Sequence, residues 1–198
     1  MKENKFMVVI SVLSLIFVVL GATFSFFSVN RNSDEGVVDA KAAVMNISLD
    51  IQPLYTGKPL IPTNDVDILK AFNDFQCVDS FNNGACEAYK IVIVHHGNPL
   101  DYNGKITFSL NNIENLNYML LDQDGNVYVD KTTIVGDSSQ SLGNQFQLDD
   151  NQTQEFTLII WLPNYDYQQV NDENGAFGAN VEYYAINGSR VSGYLSGM

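Results

Sequence analysis

Hydrophobic and polar positions divide the chain into three stretches with different periods. From Phe6 to Val29 there is no polar face at all, and about 24 residues run without a charge, long enough to cross a bilayer as a helix. Residues 30–43 (NRNSDEGVVDAKAA) are polar and small, and read as a tether. From Val44 onward apolar residues recur at every second position or fall in short β-branched and aromatic blocks. Both are signatures of strands.

The strand signals are spaced closely. Val44–Ile51 places Ile47, Leu49 and Ile51 on one face. Residues 52–64 hold Pro53, Pro59 and Pro62, so this stretch reads as a loop or an edge. Asp65–Phe75 fits one short helix or a strand. Glu87–His95 sets Tyr89, Ile91 and Ile93 against Val92 and Val94, and Gly97-Asn98-Pro99 ends it. Lys105–Leu110 points Ile106, Phe108 and Leu110 inward. Tyr118–Leu121 and Val127–Val129 flank DQDGN, a hairpin with Asp-Gly at its turn. Thr153–Leu162 is the most apolar strand and is expected at the centre of a sheet. Ala179–Ile186 and Arg190–Leu195 close the chain around Asn187-Gly188. About eight or nine short strands without a long amphipathic helix predict an all-β fold. The expected form is an antiparallel β-sandwich, jelly-roll or immunoglobulin-like, over residues 44–198, preceded by one N-terminal hydrophobic helix.

The leader has two meanings. Lys2 and Lys5 before it favour a cytoplasmic N-terminus. Residues 1–29 are then either a transmembrane anchor or a signal peptide. Thr23 and Ser25 are small enough to flank a signal-peptidase cut between Ser25 and Phe26. Either way the domain is expected outside the cytoplasm, with residues 6–29 meeting a membrane.

Charge narrows the partners. The chain has 10 basic and 23 acidic residues, a net of −13, and the acids lie almost wholly beyond the leader. Such a domain repels nucleic acid and anionic lipid. The two cysteines, Cys77 and Cys86, bracket the turn-forming Asn82-Asn83-Gly84. In an oxidising compartment they are expected to pair as a disulfide.

Candidate chemistry is sparse. Asp122, Asp124 and Asn126 match positions one, three and five of a calcium loop, but Val127 and Thr133 break the match at six and twelve. A hairpin turn is the expected role. His95 and His96 are neighbours on a strand and point to opposite faces, so they do not chelate one ion together. There is no HExxH and no GxSxG, and no pair among the acids stands out as glycosidase carboxylates. No cofactor, metal or catalytic residue is assigned. Among ten Tyr and twelve Phe, Tyr165 and Tyr167 in PNYDYQQ are the best exposed candidates for contact with a partner or a glycan.

The leader end GATFSFFS, the central CEAYKIVIVHHGN and the closing WLPN…ENGAFGANVEYYA resemble the TasA/camelysin-like family, exported by Gram-positive-type bacteria with SipW-type signal peptides. The resemblance covers most of the chain in layout and short stretches in motif. Ser25 and Phe26 stand where the family often has Ala, and the Cys77/Cys86 pair is not a general family feature. Members are biofilm-matrix fibre subunits or surface proteins. The metallopeptidase label that some carry finds no zinc motif here.

Together these features predict a non-enzymatic cell-surface or secreted matrix protein. The resemblance implies self-association by strand pairing, with the tether and Val44–Ile51 as the donated strand once the leader is cut. The alternative is a membrane-anchored extracytoplasmic binding module for a glycan or a partner protein.

Overall fold

A computed structural model of the protein describes residues 47–165 and 175–197. The leader, the Ser25/Phe26 junction, the tether and Tyr167 lie outside the described residues. In chain order the elements are β1 (Ile47–Tyr55), α1 (Asp65–Phe75), β2 (Glu87–His95), β3 (Leu100–Asn111), β4 (Asn115–Asp122), β5 (Val127–Val135), β6 (Ser138–Ser141), β7 (Phe146–Leu148), β8 (Thr153–Trp161), β9 (Ala176–Ala185) and β10 (Arg190–Gly197).

The strands form two antiparallel sheets. The first runs β1-β2-β8-β4-β5, and the second β10-β9-β3 with β6 and β7 along the far side of β3. Alternation explains their shared core. Ile91 and Ile93 of β2, Leu158 and Ile160 of β8, and Leu116, Tyr118 and Leu120 of β4 face inward from the first sheet. Ile106 and Phe108 of β3 and Val181 and Tyr183 of β9 meet them from the second. Phe108 and Tyr118 join the sheets ring to ring, 5.5 Å between centroids, as Phe156 and Tyr183 do at 6.4 Å. Each such fully buried side chain contributes about 1.5–3 kcal/mol of transfer free energy.

β8 is central, as its composition predicts, and it is apolar on both faces for a reason. Phe156, Leu158 and Ile160 enter the inter-sheet core, while Ile159 and Trp161 point the other way into a second cluster. That cluster, with Ala88, Met119, Leu121, Cys77 and Cys86, lies under α1. The first sheet is therefore covered on both sides.

One expectation is resolved and one needs correction. Of the loop-or-edge alternatives for residues 52–64, the edge holds as far as Tyr55: β1 continues past Ile51 and through Pro53 to Tyr55, with a register irregularity between Pro53 and Tyr55. Among the described residues β1 pairs only with β2, so a proline without an N–H is tolerated on this edge. The strand number among the described residues is ten, not eight or nine. The sequence reading passes over β6 and β7 because SSQS carries no apolar alternation and FQL is only three residues long.

Candidate functional site

The covering layer on the first sheet is built from α1 and the disulfide loop. Ile68, Ala71 and Phe72 recur at helical spacing and give α1 its apolar face. Asp65 and Asp67 occupy the first turn, where the helix dipole favours negative charge. The helix ends where Gln76 turns left-handed, and the Cys77 N–H donates to Ala71 O at 2.9 Å. The chain then enters the loop closed by the Cys77–Cys86 disulfide, whose Cα atoms are 4.8 Å apart. The expected pairing is formed, and it fits an oxidising, extracytoplasmic setting.

Asp65 ties this layer to the sheet. Its Oδ1 accepts from Trp161 Nε1 at 3.0 Å and Asn117 Nδ2 at 2.9 Å, and its Oδ2 from Lys131 Nζ at 2.5 Å. Burial works against the charge on Asp65. The Lys131 ammonium and the Trp161 and Asn117 donors outweigh it and hold the carboxyl below its ordinary range.

Asp79 and Asp122 make the same turn twice. Asp79 Oδ1 accepts from the Phe81 and Asn83 N–H groups and Oδ2 from Asn83 Nδ2. Asp122 does the same with Asp124, Asn126 and Asn126 Nδ2. The expected hairpin turn at DQDGN is formed, with Gly125 supplying the positive φ. Both carboxylates are occupied by donors of their own loops. Those from Asn83 and from Asn126 lead in lowering the two pKa values. Among the described residues, no group of three or more His, Cys, Asp and Glu is placed to hold a metal ion.

His95 and His96 part company. His95 is fully buried, with Nε2 2.8 Å from Asn98 O and Nδ1 2.9 Å from the Tyr102 hydroxyl. A carbonyl only accepts, so Nε2 carries a proton and donates it to Asn98 O. His96 is exposed, and its Nδ1 meets Asn151 Oδ1 at 2.8 Å. A second buried polar pair spans the sheets: the Tyr89 hydroxyl lies 2.5 Å from Glu87 Oε2 and 2.9 Å from Ser196 O. Burial, together with Glu87, pushes the Tyr89 phenol well above its ordinary pKa. These groups lock strands together.

Two exposed surfaces stand out among the described residues. Beside α1, a groove of ≈450 Å³ is lined by Pro62, Ala71, Phe75, Val78 and Ala85, among others. Phe81, at the tip of the disulfide loop, is 83% exposed. The other surface is the outer face of the second sheet. Its rungs read Arg190–Tyr184–Asn103, Ser192–Glu182–Lys105–Ser141, Tyr194–Asn180–Thr107–Ser139 and Ser196–Gly178–Ser109. Apart from Tyr184, Tyr194 and Gly178, the residues of these rungs are polar, and Ile186, 81% exposed, follows at the end of β9.

That face corrects the aromatic expectation. Tyr165 is only half-buried rather than prominently exposed, whereas Tyr194 is 63% and Tyr184 41% exposed. The signal for it is in the sequence: Lys105, Thr107 and Ser109 alternate outward on β3, and Arg190, Ser192 and Tyr194 do so on β10.

No family model and no curated protein matches the chain. Several solved structures are distantly similar to the chain. Spo0M, a sporulation control protein from Bacillus subtilis, is 9% identical with a TM-score of 0.39, over 78% of this chain and 49% of that one. The chain thus spans about half the length of that protein. AvmM, which catalyzes macrocyclization in alchivemycin A biosynthesis, is 9% identical with a TM-score of 0.38, over 78% and 88% of the two chains. A PA14 sugar-binding domain from an RTX adhesin is 11% identical with a TM-score of 0.32, over 77% and 80%.

Proposed function

We propose that this chain is a non-enzymatic extracytoplasmic binding module, held at the cell surface by residues 6–29. The observation that carries the proposal is the place of β1. From Ile47 to Tyr55 it is paired with β2 of its own chain, and Ile47 and Ile51 fill the shared core. A subunit that donates this strand to a neighbour would need it free. Here the sandwich completes itself, which favours a displayed module over a strand-donating fibre subunit.

Strand order supports an immunoglobulin-like rather than a jelly-roll sandwich. β1-β2-β8-β4 take the places of strands A-B-E-D, and β10-β9-β3 those of G-F-C. Such sandwiches present binding surfaces on loops and open sheet faces.

The test is the assembly state of the protein purified from its native membrane or medium. Light scattering and electron microscopy at micromolar concentration should find single copies. Fibres built from this chain alone would refute the proposal.

A further inference from the structure

The two outer faces of the sandwich are unlike. The first sheet turns Ala88, Met119, Leu121, Ile159 and Trp161 outward, and α1 with the disulfide loop covers them. The second sheet turns Asn180, Thr107, Ser139 and Ser192 outward instead. A face of small hydroxyls and amides needs no cover. What sets it apart is Tyr194.

Tyr194 does not stand up from the sheet. A Cβ at Gly178 would collide with the Tyr194 hydroxyl, and would lie 2.8 Å from Cζ and 3.2 Å from Cε2 of the same ring. Tyr194 is paired with Asn180, so its ring leans diagonally along β9 and rests its tip in the space that Gly178 leaves. It lies down over the strand with one side in solvent. Tyr184 stands two rungs further along the same face, four residues up β9 or about 13 Å at strand spacing.

We propose that this face binds a neutral, extended glycan, with Tyr194 and Tyr184 as stacking platforms. The inference rests on the binding-module reading and names that module's site and ligand class. A sugar ring has an apolar C–H face and a hydroxyl edge. A tyrosine lying flat offers the first an apolar body and the second a polar tip. Asn180, Thr107 and Ser139, on the rung of Tyr194, supply donors and acceptors within the same plane. The spacing of the two rings exceeds one sugar, so the ligand is an oligo- or polysaccharide.

Charge selects a neutral ligand. Glu182 lies 3.7 Å from Arg190 and opposite Lys105, so the centre of the face is close to balanced. The chain as a whole carries −13 and repels anionic polymers, whether nucleic acid or acidic polysaccharide. A protein partner fits less well. Specific interfaces bury an apolar or aromatic centre inside a polar rim. On this face Tyr194 stands on the edge strand β10 and Tyr184 two rungs away on β9, so the aromatics are separated by polar residues and form no single apolar centre.

The test is calorimetric titration of the full-length protein with chitohexaose and cellohexaose, with hexagalacturonate as an acidic counter-probe. Saturable binding of at least one neutral probe is expected, with hexagalacturonate weaker by tenfold or more. Tyr194→Ala should weaken binding at least tenfold, and Tyr194→Phe should restore most of it. Phe81→Ser, on the disulfide loop, should change nothing. Thr107→Lys obstructs the face without touching either tyrosine, and should also weaken binding. Trp161 fluorescence verifies that each variant is folded. Failure of both neutral probes to bind, equal binding of the acidic probe, or binding that survives Tyr184→Ala/Tyr194→Ala would overturn the proposal. A monomer that binds neither neutral probe removes the glycan and leaves the binding module standing. A self-assembled fibre removes both.

Discussion

Asp65, the first residue of α1, accepts a hydrogen bond from the indole N–H of Trp161 on β8, 3.0 Å away. The contact joins the covering layer to the central strand of the sheet beneath it. Trp161 is also the one tryptophan in the chain, so its emission reports on this junction. Asp65→Ala removes the acceptor for Trp161, Asn117 and Lys131 together. It should lower stability by about 1–2 kcal/mol, less than a buried charged acceptor because the carboxylate is partly exposed and screened. Urea unfolding followed by Trp161 fluorescence measures it. An unchanged midpoint would mean that the junction contributes nothing.

The same junction is acid-sensitive. The folded carboxyl of Asp65 titrates below the ordinary value of an aspartate, about 3.9. Its contribution to stability is therefore fully present above that value and is lost as pH falls through the depressed one. Asp79 and Asp122 shift in the same direction and add to the general acid loss. The part read at Trp161 should be specific: Asp65→Asn should flatten the change in its emission below about pH 4 relative to the parent protein. An identical acid transition in the variant would contradict this.

The disulfide closes a sequence separation of nine. Replacing Cys77 and Cys86 by Ser should cost about 2–3 kcal/mol in thermal or chemical unfolding. Both sulfurs belong to the cluster under α1 and not to the inter-sheet core. Amide exchange should therefore accelerate in α1 well before it does in β9. Equal acceleration in both would show that the layer and the sandwich open as one.

Gly104 on β3 marks a tight crossing. A Cβ there would lie 2.6 Å from Cε1 of Tyr183 and 2.9 Å from Cβ of Leu142. Tyr183 is fully buried and has nowhere to retreat. Gly104→Ala should destabilise by about 1–3 kcal/mol through overpacking, although alanine suits a strand better than glycine. A neutral or stabilising result in a melting curve would show that the crossing relaxes freely.

Much of the framework was legible because it is written in short-range alternation. β2 and the helical option for Asp65–Phe75 match residue for residue, and β8 lies at the centre of its sheet as its apolar run demands. The Cys77–Cys86 pairing and the DQDGN turn follow from local chain geometry. What escaped depends on distant partners. SSQS becomes β6 only because β3 offers it an edge, and the choice between loop and edge for Pro53 is made only by the pairing of β1 with β2. The open face of the second sheet is assembled from β3, β9 and β10, which are far apart in sequence. No single stretch announces it, and attention to the loop at Tyr165 and Tyr167 missed Tyr184 and Tyr194.

The most direct test is amide hydrogen exchange across Ile47–Tyr55, followed over a hundredfold dilution. Intrachain pairing of β1 with β2 predicts that these amides stay protected to the same degree at every concentration. Protection that falls on dilution would mean that the strand is held by a neighbour, and would contradict a self-completed binding module.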